Sequence, residues 1–350
     1  MKVAVVGAGV VGLATTAALL AAGADVTCFE AAAPMSRRSA GSSRIFRLAH
    51  TEPALVALAG ESKAMFRQWS RASGHELIRD VGVVVAGEAV PRMAAAMAAA
   101  GATHQVRETV DGSLGLLAKS IGGPLLLDLA GGVLDALGVG EYLLARTRAV
   151  TVLDMVYRIE ELASGARVWT STGSREFDTV VVAAGTGTCH LVAQVGLYTP
   201  SALLHHVRLT FPLRDVSRRP PALIDSSQMW RPGFTTYQHL TEPGRWAVGA
   251  HFDPAQMAWE LGRDRVVERS RRLTVEYVRD DLDGVGDRAV DELYCARTAG
   301  LTDGYGVLRT ASVIALYGGN LFKLTPVIGR VLAGAVLDGS LPESTLAGAH

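Results

Sequence analysis

Apolar and polar positions follow two different periods along this chain, and the change of period divides it. The opening reads as a β-branched run at 1–6, the turn Gly7-Ala8-Gly9-Val10-Val11-Gly12, an alanine-rich apolar stretch to Gly23, and a second strand-like run ending at Glu30. Strand, helix, strand is the order this predicts. Leu55, Leu58, Ser62, Met65, Phe66 and Trp69 then recur at helical spacing and predict a helix over 53–72 with that face in the core. The pattern further predicts a strand over 81–85, a helix over 91–100, a glycine pair leading into a helix that ends near Arg146, and strands over 149–152, 168–170 and 180–183. From 204 to 252, short β-rich segments at 207–211, 233–237 and 246–251 are separated by Pro and Gly. A helix over 266–280, strands at 294–298 and 312–317 and a helix from about Pro326 complete the chain.

The predicted class is therefore α/β and α+β. A Rossmann-like nucleotide domain is assembled discontinuously from 1–80, 130–200 and 294–350, and an antiparallel-sheet substrate domain from 81–129 and 201–293. No internal repeat is evident.

The opening glycines have separate physical tasks. Gly7 permits a tight turn, Gly9 lets backbone approach a pyrophosphate, and Gly12 lets helix pack closely on strand. The helix N-terminus, with Val10 and Val11 in its first turn, then presents free N–H groups to an anion. Glu30 stands at the end of the second strand, where a carboxylate accepts bonds from both hydroxyls of an adenosine ribose. A signal peptide or membrane anchor is disfavoured, because glycines interrupt the apolar run and about twenty continuous apolar residues are lacking.

Composition narrows the partners. A chain of 350 residues, 49% hydrophobic, can bury a substantial core, which excludes disorder. With 34 basic and 34 acidic side chains and no long basic stretch, neither nucleic acid nor a membrane surface is an expected partner, and a small molecule is. Cys28, Cys189 and Cys295 form no dithiol or zinc spacing, so no metal site or disulfide framework is expected and the cytoplasm is the expected compartment. Lysines are only four, Lys2, Lys63, Lys119 and Lys323, and alanine is abundant, notably over 93–100, as in GC-rich coding.

A second signal chooses between nucleotides. Val180-Val181-Val182-Ala183-Ala184-Gly185 is an apolar strand ending in small residues, as a late strand must be where a large two-part cofactor such as FAD passes close to backbone. Alone, it reads equally as a core strand meeting a turn; with the opening unit, it favours flavin over nicotinamide.

Several motifs in one order now resemble a known family, the D-amino-acid-oxidase-like flavoproteins, and within it the sarcosine, N-methyltryptophan and glycine oxidases. They are the fingerprint with Glu30, Ser42-Ser43-Arg44-Ile45-Phe46-Arg47, Gly82-Val83, Gly132-Val133-Leu134, Val182-Ala183-Ala184-Gly185, Val248-Gly249-Ala250-His251 and Phe322-Lys323-Leu324-Thr325-Pro326-Val327-Ile328-Gly329. The resemblance spans nearly the whole chain. It implies FAD in an extended pose and oxidation of an amine C–N bond to an imine that water hydrolyses, with molecular oxygen reduced to hydrogen peroxide. The implied substrate is a glycine-like or N-substituted amino acid, in catabolism or in specialised biosynthesis.

The resemblance also assigns residues. Arg47 matches the position that binds substrate carboxylate, a task suited to a planar guanidinium. Arg44 matches its flavin-contacting neighbour, and Lys323 a lysine near flavin and carboxylate together. Arg297 offers a competing carboxylate anchor, as in the glycine oxidases, whereas Arg309 is less well placed. His251 and Tyr237 match polar active-site groups, and of His205 and His206 only one can face a pocket. Val150, Ser42, Ser43, Ala184, Gly185, Gly319 and Thr325 are further expected FAD contacts. Cys295, with Thr298 after it, matches the cysteine that carries flavin covalently in the sarcosine oxidases, although glycine oxidases hold FAD without such a link. Ala247 stands where sarcosine oxidases have an oxygen-activating lysine, with Arg245 two residues earlier, which keeps open a dehydrogenase using another acceptor. An NAD-linked dehydrogenase and a non-catalytic flavin protein are the remaining alternatives. Met229, Trp230, Phe234 and Trp259 read as pocket lining or as ordinary core.

Overall fold

A computed structural model describes residues 1–301 and 303–340. Two large sheets organise the chain. The first runs Gly304–Arg309, Val313–Gly319, Thr179–Val182, Lys2–Val6, Asp25–Glu30, Thr151–Leu153. It is parallel except at the Gly304–Arg309 edge. Parallel strands covered on both faces read as continuous apolar runs, as 3–6 and 180–182 do, and all seven of those residues are buried. Helix Val10–Ala21 packs against the C-terminal helix Thr325–Leu337. Gly329 permits it: a methyl there would come within 2.8 Å of the Ala14 carbonyl carbon.

The second sheet has eight strands, ordered Asp291–Thr298, Leu203–Pro212, Arg245–His251, Thr235–Glu242, Ala222–Asp225, Val83–Ala86, Leu125–Asp128, His104–Arg107. All neighbours are antiparallel except Val83–Ala86 beside Ala222–Asp225. Helix Arg263–Asp281 covers one face, where Val207, Leu209, Phe211, Trp246, Val248, Tyr277 and Val278 form the core. A buried chain of hydrogen bonds fixes that face: Trp246 Nε1 donates to Gln238 Oε1 at 3.0 Å, and Gln238 Nε2 donates to the Tyr277 hydroxyl at 2.7 Å. Because side chains alternate across a strand, the opposite face carries His206, Arg208, Tyr237, His239, Ala247, His251, Cys295 and Arg297.

Three features differ from the pattern-based expectation. Residues 132–135 form a strand before the helix Ala136–Thr147, and with Ser43–Phe46 and Ile78–Arg79 they make a small third sheet. The strand at Ala166–Thr170 belongs to a separate antiparallel sheet with Val156–Glu161 and Gly173–Phe177. The boundary placed at 294 falls inside Asp291–Thr298, which pairs over its length with Leu203–Pro212 and so goes with the eight-stranded sheet.

Candidate active site

The dinucleotide turn is closed from three sides. Gly7 has φ +104, and a methyl on it would lie 2.6 Å from the Ala183 carbonyl oxygen, so the turn rests directly on the end of the strand Thr179–Val182. A methyl on Gly12 would overlap the Gly7 carbonyl. The two glycine signals at 7–12 and 182–185 thus meet as one surface. Gly9 is the N-cap of the twelve-residue helix and supplies no side-chain cap, which leaves the first-turn N–H groups to other acceptors. One acceptor was not legible in sequence: the Ser39 hydroxyl takes the Val10 N–H at 3.0 Å.

Glu30 has a structural task besides the ribose contact expected of it. Its Oε2 accepts the Ala8 N–H at 2.7 Å and its Oε1 the Ala32 N–H at 3.0 Å, which ties the turn to the second strand. Each oxygen keeps a further lone-pair direction for a hydroxyl. Ala184 and Gly185, the latter at φ +60, follow the strand end that supports Gly7. Thr325 begins the C-terminal helix, fully buried, and Gly319 ends the strand before it. Val150 precedes Thr151, the partner of Cys28, and so lies at the end of that edge strand away from Leu153, the partner of Glu30.

Ser43 joins the two halves of the molecule. Its hydroxyl is 2.9 Å from His239 Nε2, and its carbonyl accepts Arg208 Nη1 at 2.9 Å and Arg44 Nη1 at 2.7 Å. The carbonyl of Ser42 accepts the Ala136 N–H. Arg44 is committed to this loop: it also donates to the carbonyls of Arg38 and Ala40 and stands over the Phe322 ring at 5.3 Å. Burial, then the neighbouring Arg208 charge, lowers its pKa to about 10.

Arg47 and Lys323 do come together, on a residue the sequence did not mark. Asp303 accepts from Arg47, from Lys323 Nζ at 3.0 Å and from Asn320 Nδ2 at 2.7 Å, and lies 3.1 Å from His50 Nδ1. Burial alone would raise the Asp303 pKa, but the charges of Lys323 and Arg47 overcome it and hold the carboxyl well below its usual range. Burial lowers Lys323 to about 8 despite Asp303. His50 is pushed to about 3, by burial and then by the same two cations, and is therefore neutral. Two further groups fix the cations from behind: Asp128 accepts the N–H groups of Leu48 and Ala49, and the Ser62 hydroxyl donates to the Lys323 carbonyl at 2.6 Å. Asn320 adopts φ +52, a left-handed conformation that asparagine tolerates better than most residues.

On the sheet face, His206, Tyr237 and His251 form a ring cluster with centroids 4.9–5.7 Å apart, and Gly249 leaves room for the Tyr237 ring. Burial pushes His206 and His239 well below ordinary histidine and His251 to about 4, while it raises Tyr237. The wall is uncharged at neutral pH. Cys295 Sγ lies 3.7 Å from His206 Nδ1, and Thr298 ends the same strand. His205 points to the other face, 2.8 Å from the Tyr294 hydroxyl and stacked on Trp259. Arg309 donates to the Ala335 carbonyl and so caps the last helix. Trp230 and Phe234 pack around Tyr277 on the helix-covered side, and Met229 is exposed. Arg245 is half-exposed beside Glu242, so it does not stand in for a cation at Ala247.

The donor set fits a flavin dinucleotide. A helix start whose N-cap Gly9 supplies no side-chain acceptor and a turn too close for any side chain suit a diphosphate, and buried Arg47 Nη1, His206 Nε2 and Arg297 Nε lack protein partners. No group of three metal-ligating side chains forms and no helix is long and apolar enough to cross a membrane, both among the described residues.

The DAO family of FAD-dependent oxidoreductases matches residues 2–335. The chain belongs to that family, and its cofactor is FAD. By sequence, no curated protein matches it. Among solved structures it is similar to NikD, an unusual amino acid oxidase essential for nikkomycin biosynthesis (19% identity, 99% of this chain and 98% of that one, TM-score 0.80). It is also similar to glycine oxidase from Geobacillus kaustophilus (19%, 99% and 97%, 0.75) and to iminodiacetate oxidase from Chelativorans sp. BNC1 (16%, 97% and 96%, 0.74). At these identities the likeness is one of fold.

Proposed function

We propose that the protein is an amine oxidase that converts a C–N bond of a glycine-like or N-substituted amino acid to an imine, with molecular oxygen as the acceptor and hydrogen peroxide as product. The observation that carries this reading is the pairing of Arg47 and Lys323 around Asp303, with the buried Arg47 Nη1 still unpartnered. A planar donor beside an ammonium group suits a substrate carboxylate. FAD supplies the two-electron acceptor for the carbon next to nitrogen.

The chain's own residues orient and desolvate. Arg47 and Lys323 hold the carboxylate, and the clustered His206, Tyr237 and His251 rings stand beside the amine. Neutral His251 accepts an N–H hydrogen bond but does not hold a proton at pH 7, so the amine must reach the site in its neutral form. Tyr237 stays protonated and serves as a donor.

Anaerobic addition of sarcosine or another N-substituted glycine is expected to bleach the flavin absorbance, and air to restore it within seconds with one peroxide per turnover. No bleaching by any amino acid would remove the amine oxidase reading. The lack of a cation at Ala247 supports one alternative, a flavin-dependent dehydrogenase: bleaching would persist in air and reverse with an artificial acceptor. Cys295, on the same face as the ring cluster, is assigned the covalent attachment. Acid precipitation should then leave a yellow pellet, and a white one for Cys295→Ser; a white wild-type pellet would assign FAD to non-covalent binding.

A further inference from the structure

Two guanidinium groups meet on one backbone carbonyl with no anion between them. The Ser43 carbonyl accepts Arg44 Nη1 at 2.7 Å and Arg208 Nη1 at 2.9 Å, the other bonds of Arg44 go to the carbonyls of Arg38 and Ala40, and Arg208 Nε is buried without a partner. Arg208 is only 3% exposed. Among the described residues neither arginine pairs with a carboxylate. Carbonyl dipoles do not cancel two like charges, and burying such charges uncompensated is costly.

Their place in the fold identifies the missing charge. The loop 35–44 starts on the dinucleotide turn, where the Met35 N–H bonds the Ala8 carbonyl and the Ser39 hydroxyl takes the Val10 N–H, and it reaches the sheet face at Ser43, whose hydroxyl meets His239. It therefore borders the way from the diphosphate site to that face. There Arg208 stands in one row with Gly249 and Tyr237, and two residues along its strand from His206, the partner of Cys295. The cations at the other end are already matched: Arg47 and Lys323 face Asp303 and a substrate carboxylate, two charges against two.

We infer that Arg208, together with Arg44, compensates the negative charge that the flavin ring carries when reduced. A hydride from the carbon next to nitrogen brings two electrons and one proton, so one negative charge stays on the ring until oxygen takes the electron pair. A fixed cation beside the ring favours that form. The inference rests on the amine oxidase reading, which assigns the substrate carboxylate to Arg47 and Lys323.

Sulfite tests this without an amine. Its sulfur lone pair forms a bond to the ring nitrogen N5 and one negative charge moves onto the ring, so its affinity, read from the loss of flavin absorbance in the holoenzyme, reports the compensating cation. Arg208→Gln and Arg208→Met should weaken sulfite about 100-fold, the order expected of one unit charge a few ångströms away in a protein interior. The two-electron potential should fall by about 60 mV, the same factor at about 30 mV per tenfold. Arg208→Lys keeps the charge and should stay within about threefold of the wild type. Unchanged sulfite affinity and potential in a neutral variant would overturn the inference, because a residue that only pins Ser43 or pairs with the diphosphate lowers Tm or FAD retention and leaves both readings in place. A loss in Arg208→Lys equal to that in the neutral variants would overturn it too. If neither neutral variant folds, photoreduction of the wild type decides: the red anionic radical upholds the inference and the blue neutral radical overturns it. Sarcosine bleaching the flavin, with sulfite affinity unmoved in the variants, would keep the oxidase and remove the role of Arg208. No bleaching by any amino acid, with the sulfite loss as expected, would keep that role and remove the oxidase.

Discussion

Gly12→Ala should leave purification colourless, with the flavin-to-protein absorbance ratio near zero, while Gly23→Ala keeps its FAD. The added methyl at 12 overlaps the Gly7 carbonyl, and Gly7 has nowhere to retreat. Its N–H is bonded to the Phe29 carbonyl at 2.8 Å, its Cα side faces the Ala183 carbonyl, and the next residue, Ala8, is held by Glu30. The helix must therefore withdraw from the turn. A displacement on the order of 1 Å lengthens several charge-assisted N–H contacts to a diphosphate at once, and FAD affinity should fall on the order of 10³-fold. Gly23 is a fair control because it also has positive φ, +80, yet nothing lies within 4 Å of its added methyl. Its cost is backbone strain of about 1 kcal/mol, away from the cofactor. Retention of a full flavin complement by Gly12→Ala would show that the turn and helix do not set the diphosphate site.

What the sequence disclosed and what it hid divide along physical lines. The glycine turn was legible because its task is local: three residues without Cβ within six positions, framed by apolar runs, permit few other structures. The cations at 47 and 323 were legible because they sit in motifs. Asp303 was not, since it lies in a short polar segment without periodicity, and its importance comes from Arg47, His50 and Lys323 arriving from distant parts of the chain. Ser39, Asp128 and Ser62 act in the same way, through hydrogen bonds to backbone that no spacing rule encodes. His205 and His206 show the limit of alternation. Period two requires that they face opposite ways, but only the pairing of His206 with Cys295 identifies the one that joins the ring cluster. Trp230 and Phe234 stayed open between pocket and core in the sequence because aromatic residues near such a sheet serve equally well on its covered side, where Tyr277 receives them.

Asp303→Asn should lower both stability and carboxylate binding, and a shift in the pH profile should identify the cause. Asp303 is only 15% exposed and is ionised against two cations; removing its charge leaves Arg47 and Lys323 buried side by side. Breaking a buried pair in this way costs about 3 kcal/mol, or roughly 4 °C in Tm for a chain of this size. The sign follows from the depressed carboxyl pKa: its stabilisation is present above the ordinary aspartate pKa and is lost only as pH falls through the lower folded value, so the deficit is complete at pH 7. Lys323 moves the other way. Asp303 supports its charged form, so without Asp303 its pKa drops further below about 8 and its proton is lost at lower pH. In the wild type, the KM for an amino-acid substrate should rise as pH passes about 8, and in Asp303→Asn that rise should begin at lower pH, with kcat/KM at pH 7 reduced on the order of 10²-fold. A purely structural role would lower Tm and leave the inflection in place. An unmoved inflection would therefore separate Asp303 from the carboxylate anchor, whatever the loss of stability.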